Sequence, residues 1–211
     1  MHTTRLLTAA VLAAVALMPA ACGGSTTDTS HPRPTSTAPT TSSSTTTGAA
    51  PVPVESNPPG DIPDNLAFVP YTNDTGGYTF THPEGWARTV TGPTVTFTDK
   101  LNGVTVTSQA SSTAPTVATA KKVDVRRLKT SVPAFELKSV EAAKLPSGSG
   151  VHIVFRRNSD PDPVTGKVYR DEVEEYVVTA NGHVIRMDLF GPVGADNVDA
   201  YRTMSQSLTS P

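Results

Sequence analysis

Carboxylates are the densest source of possible chemistry in this 211-residue chain. Asp171, Glu172, Glu174 and Glu175 fall within five positions. On an extended strand Glu172 and Glu174 share a face about 7 Å apart, a separation that carboxylate pairs use in glycoside cleavage. The expectation for the cluster is plainer: exposed charges that keep a sheet edge from pairing with another chain. Asp160 and Asp162 could contribute to a calcium site, but a proline follows each and no glutamate completes a loop, so they read as a tight connection between strands. His82, His152 and His183 lie on three different strands or turns, without the His-x-x-x-His or glutamate-flanked spacing of a metal site. Ser147-Gly148-Ser149-Gly150 sets its glycines one residue from Ser149 and is a linker loop, not a nucleophile elbow. Gly166-Lys167 lacks the upstream glycine of a phosphate loop and is a turn. The expectation is therefore no catalytic residue, no metal and no cofactor, and a chain that is not an enzyme.

Cys22 is the single cysteine, and the elements around it give it a different chemistry. It closes the apolar, alanine-rich run from Leu6, which follows a short segment whose cation is Arg5. That is a secretory signal: it falls short of the ~20 apolar residues of a bilayer span and gives way to a polar tract. Ala20-Ala21-Cys22-Gly23-Gly24 resembles the lipobox of bacterial lipoproteins, with Pro19 where a leucine is usual. The resemblance implies cleavage after residue 21 and a diacylated Cys22, and several acyl chains make a permanent anchor where one would not. The mature chain then carries no thiol, hence no disulfide, cysteine metal site or cysteine nucleophile.

Residues 22–60 are almost entirely Ser, Thr, Pro, Gly and Ala, a tract that cannot bury a core and reads as a disordered tether. It would average about 35 Å if flexible and approach ~120 Å in polyproline extension. Residues 61–211 make one globular domain, with 15 basic and 17 acidic residues. That balance argues against a nucleic-acid partner. A domain of this length buries about 70% of its unfolded surface, enough for a core without cross-links.

Within the domain, Tyr78 and Phe80 fall on one face of a strand that Pro83 stops, and Pro83-Glu84-Gly85 turns Trp86 back onto the body. Val95 to Phe97 and Val104 to Thr107 form a hairpin with Asn102-Gly103 in its loop. Thr116 caps a helix running toward Thr130, with Val117, Ala120 and Leu128 inward. Phe135 to Val140 reads as a strand. Val151, Ile153 and Phe155 share one face of the next. The strands Val173 to Thr179 and Val184 to Phe190 flank Asn181-Gly182, the strongest hairpin signal in the chain. Asp196 or Asn197 caps a last helix with Val198, Tyr201, Met204 or Ser205, and Leu208 inward.

An aromatic-x-aromatic-x-x-Pro-x-Gly-Trp strand and turn, then hairpin, helix, meander and terminal helix, resembles the PsbP-like domains. The lipobox, Thr/Ser-rich tether and Pro-x-Gly-Trp are similar in plan to actinobacterial LpqN-type lipoproteins. Gly191 to Asp199 resembles a segment of exported lipoproteins that accompany ABC transporters. The resemblance implies an α+β fold, an antiparallel sheet covered by helices in a PsbP-like α/β/α sandwich. It also implies an accessory interaction module on the outer face of the cell membrane, contacting a transporter or another exported protein. The alternative is a carrier of an apolar, lipid-like ligand held between the layers. In either case Cys22→Ala is expected to move the protein from the membrane fraction to the soluble envelope fraction or medium on cell fractionation; retention in the membrane would contradict anchoring through Cys22.

Overall fold

The structure is a computed structural model that describes residues 49–54, 59–111 and 113–210. Cys22, the signal segment and most of the tether lie outside the described residues. The elements run β1 Phe68–Asn73, β2 Tyr78–Pro83, β3 Ala87–Thr91, β4 Thr94–Asp99, β5 Asn102–Ala110, α1 Val117–Lys122, α2 Asp124–Ser131, β6 Glu136–Leu145, β7 Gly148–Asn158, β8 Arg170–Ala180, β9 His183–Pro192 and α3 Val198–Ser207. β1 and β2 form a small hairpin sheet, and the other strands form one seven-stranded sheet in the order β3-β4-β5-β9-β8-β7-β6. Every pairing is antiparallel. The class is α+β.

Alternation along the strands sends two sets of side chains to opposite faces. On one face Val95, Phe97, Val104, Val106, Ile185, Met187 and Leu189 meet Tyr78 and Phe80 from β2 and Tyr201, Met204 and Leu208 from the α3 end. Tyr71, Phe80 and Phe97 meet there edge to face, with ring centroids 5.2 to 6.0 Å apart. Burying one such ring contributes about 1.5–3 kcal/mol. The Tyr78 hydroxyl, enclosed in this layer, donates to the Val106 carbonyl at 2.9 Å. On the other face Val151, Ile153, Phe155, Val173 and Val177 lie under Ala120 and Leu128 of the helices.

Asn181 and Gly182 both take positive φ, 47° and 77°, as a two-residue hairpin turn of twist-matched type requires, so β8 and β9 pair where the sequence placed them. The Asn102-Gly103 expectation is corrected. Both residues belong to β5, and the turn is Lys100-Leu101, with Lys100 at φ 51°. Asn102 is drawn inward because its amide donates to the Gly60 carbonyl at 2.6 Å and its oxygen accepts from Asn197 at 2.9 Å. The helix expected from Thr116 is two helices that meet at Val123. Thr116 caps the first through a reciprocal box with Thr119. Ala120, Asp124 and Leu128 are the buried positions, so one inward member is a carboxylate, while Val123 is 60% exposed. Val198, expected inward on α3, is 64% exposed, and Ala200 is buried instead. Asn197 precedes α3 without a side-chain cap, since its oxygen accepts from Ile62 N–H at 2.8 Å and its amide faces Asn102. Ser149 and Gly150 lie in β7, with the turn at Pro146-Ser147.

β1 and β3 were not legible as strands. β1 carries Pro70, tolerated because this strand pairs on one side with β2. β3 is exposed at all five positions.

Gly150 sits where β7 and β8 run so close that a Cβ would lie 1.9 Å from the Val177 carbonyl oxygen. Gly150→Ala is expected to destabilise the domain by about 1–3 kcal/mol in urea unfolding, the range for forcing volume into a packed site. An unchanged midpoint would show that the two strands can part at no cost.

Candidate functional site

Rows of cross-strand neighbours show how the α1–α2 face of the sheet changes character from one edge to the other. Thr89, Thr96, Thr105, Asp188, Glu175, Ile153 and Val140 form one such row, and Thr91, Thr94, Thr107, Arg186, Val177, Val151 and Ala142 the next. Threonines occupy the β3–β5 part, charges the centre, and apolar side chains the part beneath the helices. Thr94 pairs with Thr107 at 2.7 Å and Thr96 with Thr105 at 3.0 Å, hydroxyl to hydroxyl.

The central charges form a seam along the edge of α2. Glu175, 1% exposed, receives Arg127 from α2 and Arg186 from β9 on the same oxygen, each at 2.7 Å. Arg186 also reaches Asp124 of α2 at 2.6 Å. Burial works against the charge on Arg186, but Glu175 and Asp124 more than offset it and hold the guanidinium above its usual range. Glu175 lies directly opposite Asp188 on β9. The second Glu175 oxygen and one Asp188 oxygen are enclosed without a hydrogen-bond partner. Burial and the neighbouring Glu175 both push the Asp188 carboxyl well above the usual carboxylate range. Asp171, on the same face of β8 and 3% exposed, is raised to about 6 by burial despite the Arg157 guanidinium 3.5 Å away.

Asp188 and Asp171 open onto a cleft of about 410 Å³ between this face and the 159–163 loop. Arg157, Lys100, Thr96, Thr105, Tyr169 and Phe190 complete its working surface. Arg157 lies over the Phe190 ring at 4.8 Å, which fixes the cation above an apolar floor. The cleft combines enclosed carboxyls, a fixed cation and hydroxyls, so it suits a polar group that both donates and accepts hydrogen bonds.

The residues singled out from the sequence separate. β8 is an interior strand between β9 and β7, so the edge-protection reading of its acids is corrected. They are tolerated there because arginines face them: Glu172 takes Arg156 at 2.9 Å, Asp171 has Arg157, and Glu175 has Arg127 and Arg186. Glu174 faces the opposite side with Glu172, accepts from the Tyr176 hydroxyl at 3.2 Å and lies 3.1 Å from His152 Nε2. Burial together with Glu174 raises the Tyr176 phenol to about 12. His152 stacks on Tyr176 at 4.2 Å, and His82 stacks on Phe97 at 3.6 Å. Burial lowers the His82 pKa, against the opposing pull of the Pro83 carbonyl. His183 opens β9 beside the hairpin turn, opposite Ala180 of β8. Asp162 caps its own loop by accepting from Val164 N–H, Thr165 N–H and the Thr165 hydroxyl. Among the described residues no three His, Cys, Asp or Glu side chains converge as a metal site. Asp188, Arg186 and Arg157 escaped sequence reasoning. Counting outward in equal steps from the Asn181-Gly182 turn would have placed Asp188 against Glu175.

Taken together, the molecule is an antiparallel α+β sandwich with a polar cleft at the margin of its helical cover. No family model matches the chain, and no curated protein matches it. Among solved structures it is similar to the cyanobacterial PsbP protein of Synechocystis sp. PCC 6803, at 21% identity and TM-score 0.49 over 74% of this chain and 100% of that one. LpqN of Mycobacterium tuberculosis, involved in cell envelope biogenesis, is 16% identical with TM-score 0.42, covering 70% of this chain and 93% of its own. The Ran-binding protein Mog1p of Saccharomyces cerevisiae is 7% identical with TM-score 0.44, covering 69% and 96%.

The enclosed carboxyls couple folding to pH. A carboxyl whose folded pKa stands above its unfolded value, 3.8 for Asp171 and Asp188, holds its proton more tightly when folded. Its contribution is complete below pH 3.8 and is lost as pH climbs through the raised value, near 6 for Asp171 and higher for Asp188. Asp188→Asn keeps the shape and removes the charge. Thermal unfolding is expected to show the variant several degrees above the parent at pH 8, at about 2–4 °C per kcal/mol for a chain of this size, and level with it near pH 4. A constant offset at both pH values would refute the coupling.

Proposed function

We propose that this chain is an exported module, lipid-anchored through Cys22 on the outer face of the cell membrane, that works by binding and not by catalysis. It contacts a transporter or another exported protein through the β3–β5 threonine surface and the adjoining cleft. The observation that carries this reading is the one-sided cover of the sheet. α1–α2 lie over the apolar part near β6–β8, whereas Thr89, Thr91, Thr94, Thr96, Thr98, Thr105 and Thr107 remain exposed or half-buried on the uncovered part. Such a surface is hydroxyl-rich and continuous with a charged cleft, which suits a protein interface with a polar rim. Packed side chains fill the core on either side of the sheet, and the 410 Å³ cleft sets charged and hydroxyl groups beside Leu101, Pro161, Pro163 and Phe190, as a protein surface with mixed polar and apolar contacts would need. Among the described residues no helix is long and apolar enough to cross a membrane, and the proposed attachment rests on the residues around Cys22.

A photo-crosslinking amino acid in place of Thr96 of the full chain, expressed in its own envelope, is expected to give one discrete adduct. Thr105→Arg should abolish that adduct, and the same probe in place of Lys144, on the far edge strand, should not form it. An adduct common to both positions, or none from Thr96, would overturn the interface. A stoichiometric lipid on the extracted protein in native mass spectrometry would instead establish the apolar-carrier alternative.

A further inference from the structure

The charge of the domain is unevenly placed. Between Lys121 and Lys129 the α1–α2 pair carries Lys121, Lys122, Arg126, Arg127 and Lys129, all exposed, in a chain whose formal net charge is −2. The acids nearest in the fold do not neutralise this surface. Asp124 is buried and turned inward to Arg186, and Glu175 lies beneath the helix at 1% exposure. Arg127 spends one end of its guanidinium on Glu175 while its side chain stays 47% exposed. Among the described residues, Lys121, Lys122, Arg126 and Lys129 have no carboxylate partner within ion-pair distance. At the centre of these cations, where the two helices meet, Val123 stands 60% exposed, and it shares a shallow depression with Lys122, Arg126, Arg127 and Thr130.

From this geometry we infer that the outer surface of α1–α2 docks on an anionic lipid bilayer. Charge complementarity selects the partner: several cations without a carboxylate partner, spread along both helices around an open, shallow depression, meet a plane of many negative charges. Val123 supplies a small apolar tip for the headgroup region, and the long stems of its lysine and arginine neighbours can lie along the surface with their charges at phosphate depth. The surface is separate from the threonine interface and adds a second contact to the acyl anchor. It would hold the domain against the membrane and so fix which way the β3–β5 surface faces.

The test is amide hydrogen exchange on the full chain mixed with vesicles of phosphatidylcholine alone or with about 30% phosphatidylglycerol. Exchange over residues 117–131 is expected to slow about tenfold or more only with the anionic lipid, and the effect should fade as salt is raised. Lys122→Glu with Arg126→Glu should remove the slowing, and Lys122→Gln with Arg126→Gln should reduce it. Because the two vesicle types are compared on the same chain, the result does not depend on whether Cys22 is acylated or whether Thr96 meets a partner. Equal exchange with both vesicles, or anionic-lipid slowing that survives the charge reversals, would overturn the inference.

Discussion

The ion pairing of Glu175 is the interaction on which the α1–α2 side of the molecule depends. A carboxylate at 1% exposure in an interior strand is sustained only by the two guanidiniums that converge on one of its oxygens. Breaking such a buried arrangement by removing one partner typically costs about 3–5 kcal/mol, because the remaining charge is stranded. One of those partners belongs to α2, and Asp124 of the same helix closes the circuit through Arg186. The seam therefore sets where the helical cover ends, leaves the threonine surface uncovered, and turns the remaining α2 cations outward.

Apolar packing alone would not produce that asymmetry. Ala120 and Leu128 would pack on any valine-rich sheet, but the rows across the sheet change from Ile153 to Glu175 to Asp188 to Thr105 over four adjacent strands. The opposite face runs the other way: β1–β2 and α3 close its β4, β5 and β9 part with aromatics and aliphatics, and the row Val106, Met187, Tyr176, His152 and Glu141 turns polar toward β6. A second polar knot, Gly60 to Asn102 to Asn197 to Ile62, binds the start of the domain to the approach of α3. Both devices pair polar groups that the core would otherwise penalise, and each specifies an arrangement that hydrophobic burial leaves open.

What could be read from the sequence was what is encoded locally. Tyr78 and Phe80 alternate with threonines, Val151, Ile153 and Phe155 alternate with polar residues, and Asn181-Gly182 demands its turn; all stand in the structure as their pattern implies. The acids of β8 were misread because a strand's own pattern gives its faces and not its rank within the sheet. Their arginine partners sit on β7, β9 and α2, up to 48 residues away along the chain. Asn102-Gly103 failed for a related reason, since Asn102 is committed to hydrogen bonds with residues far in sequence. The cleft was beyond reach for the same cause: its lining comes from β4, β5, β7, β8, β9 and the 159–163 loop, with no shared motif.

The short segment at 49–54 gives the molecule a mechanical property. Asn158, at the end of β7, donates to the Ala50 carbonyl at 2.8 Å and accepts from Val52 N–H at 3.1 Å. Farther along the chain Asn102 grips Gly60, and Asn197 grips Ile62. A pull from the amino-terminal side meets these asparagines in series, and each clasp is loaded only after the one before it has let go. Three asparagines thus hold the approach to the domain at successive points along the chain, so that a pull from that side falls on side-chain hydrogen bonds and not directly on the sheet.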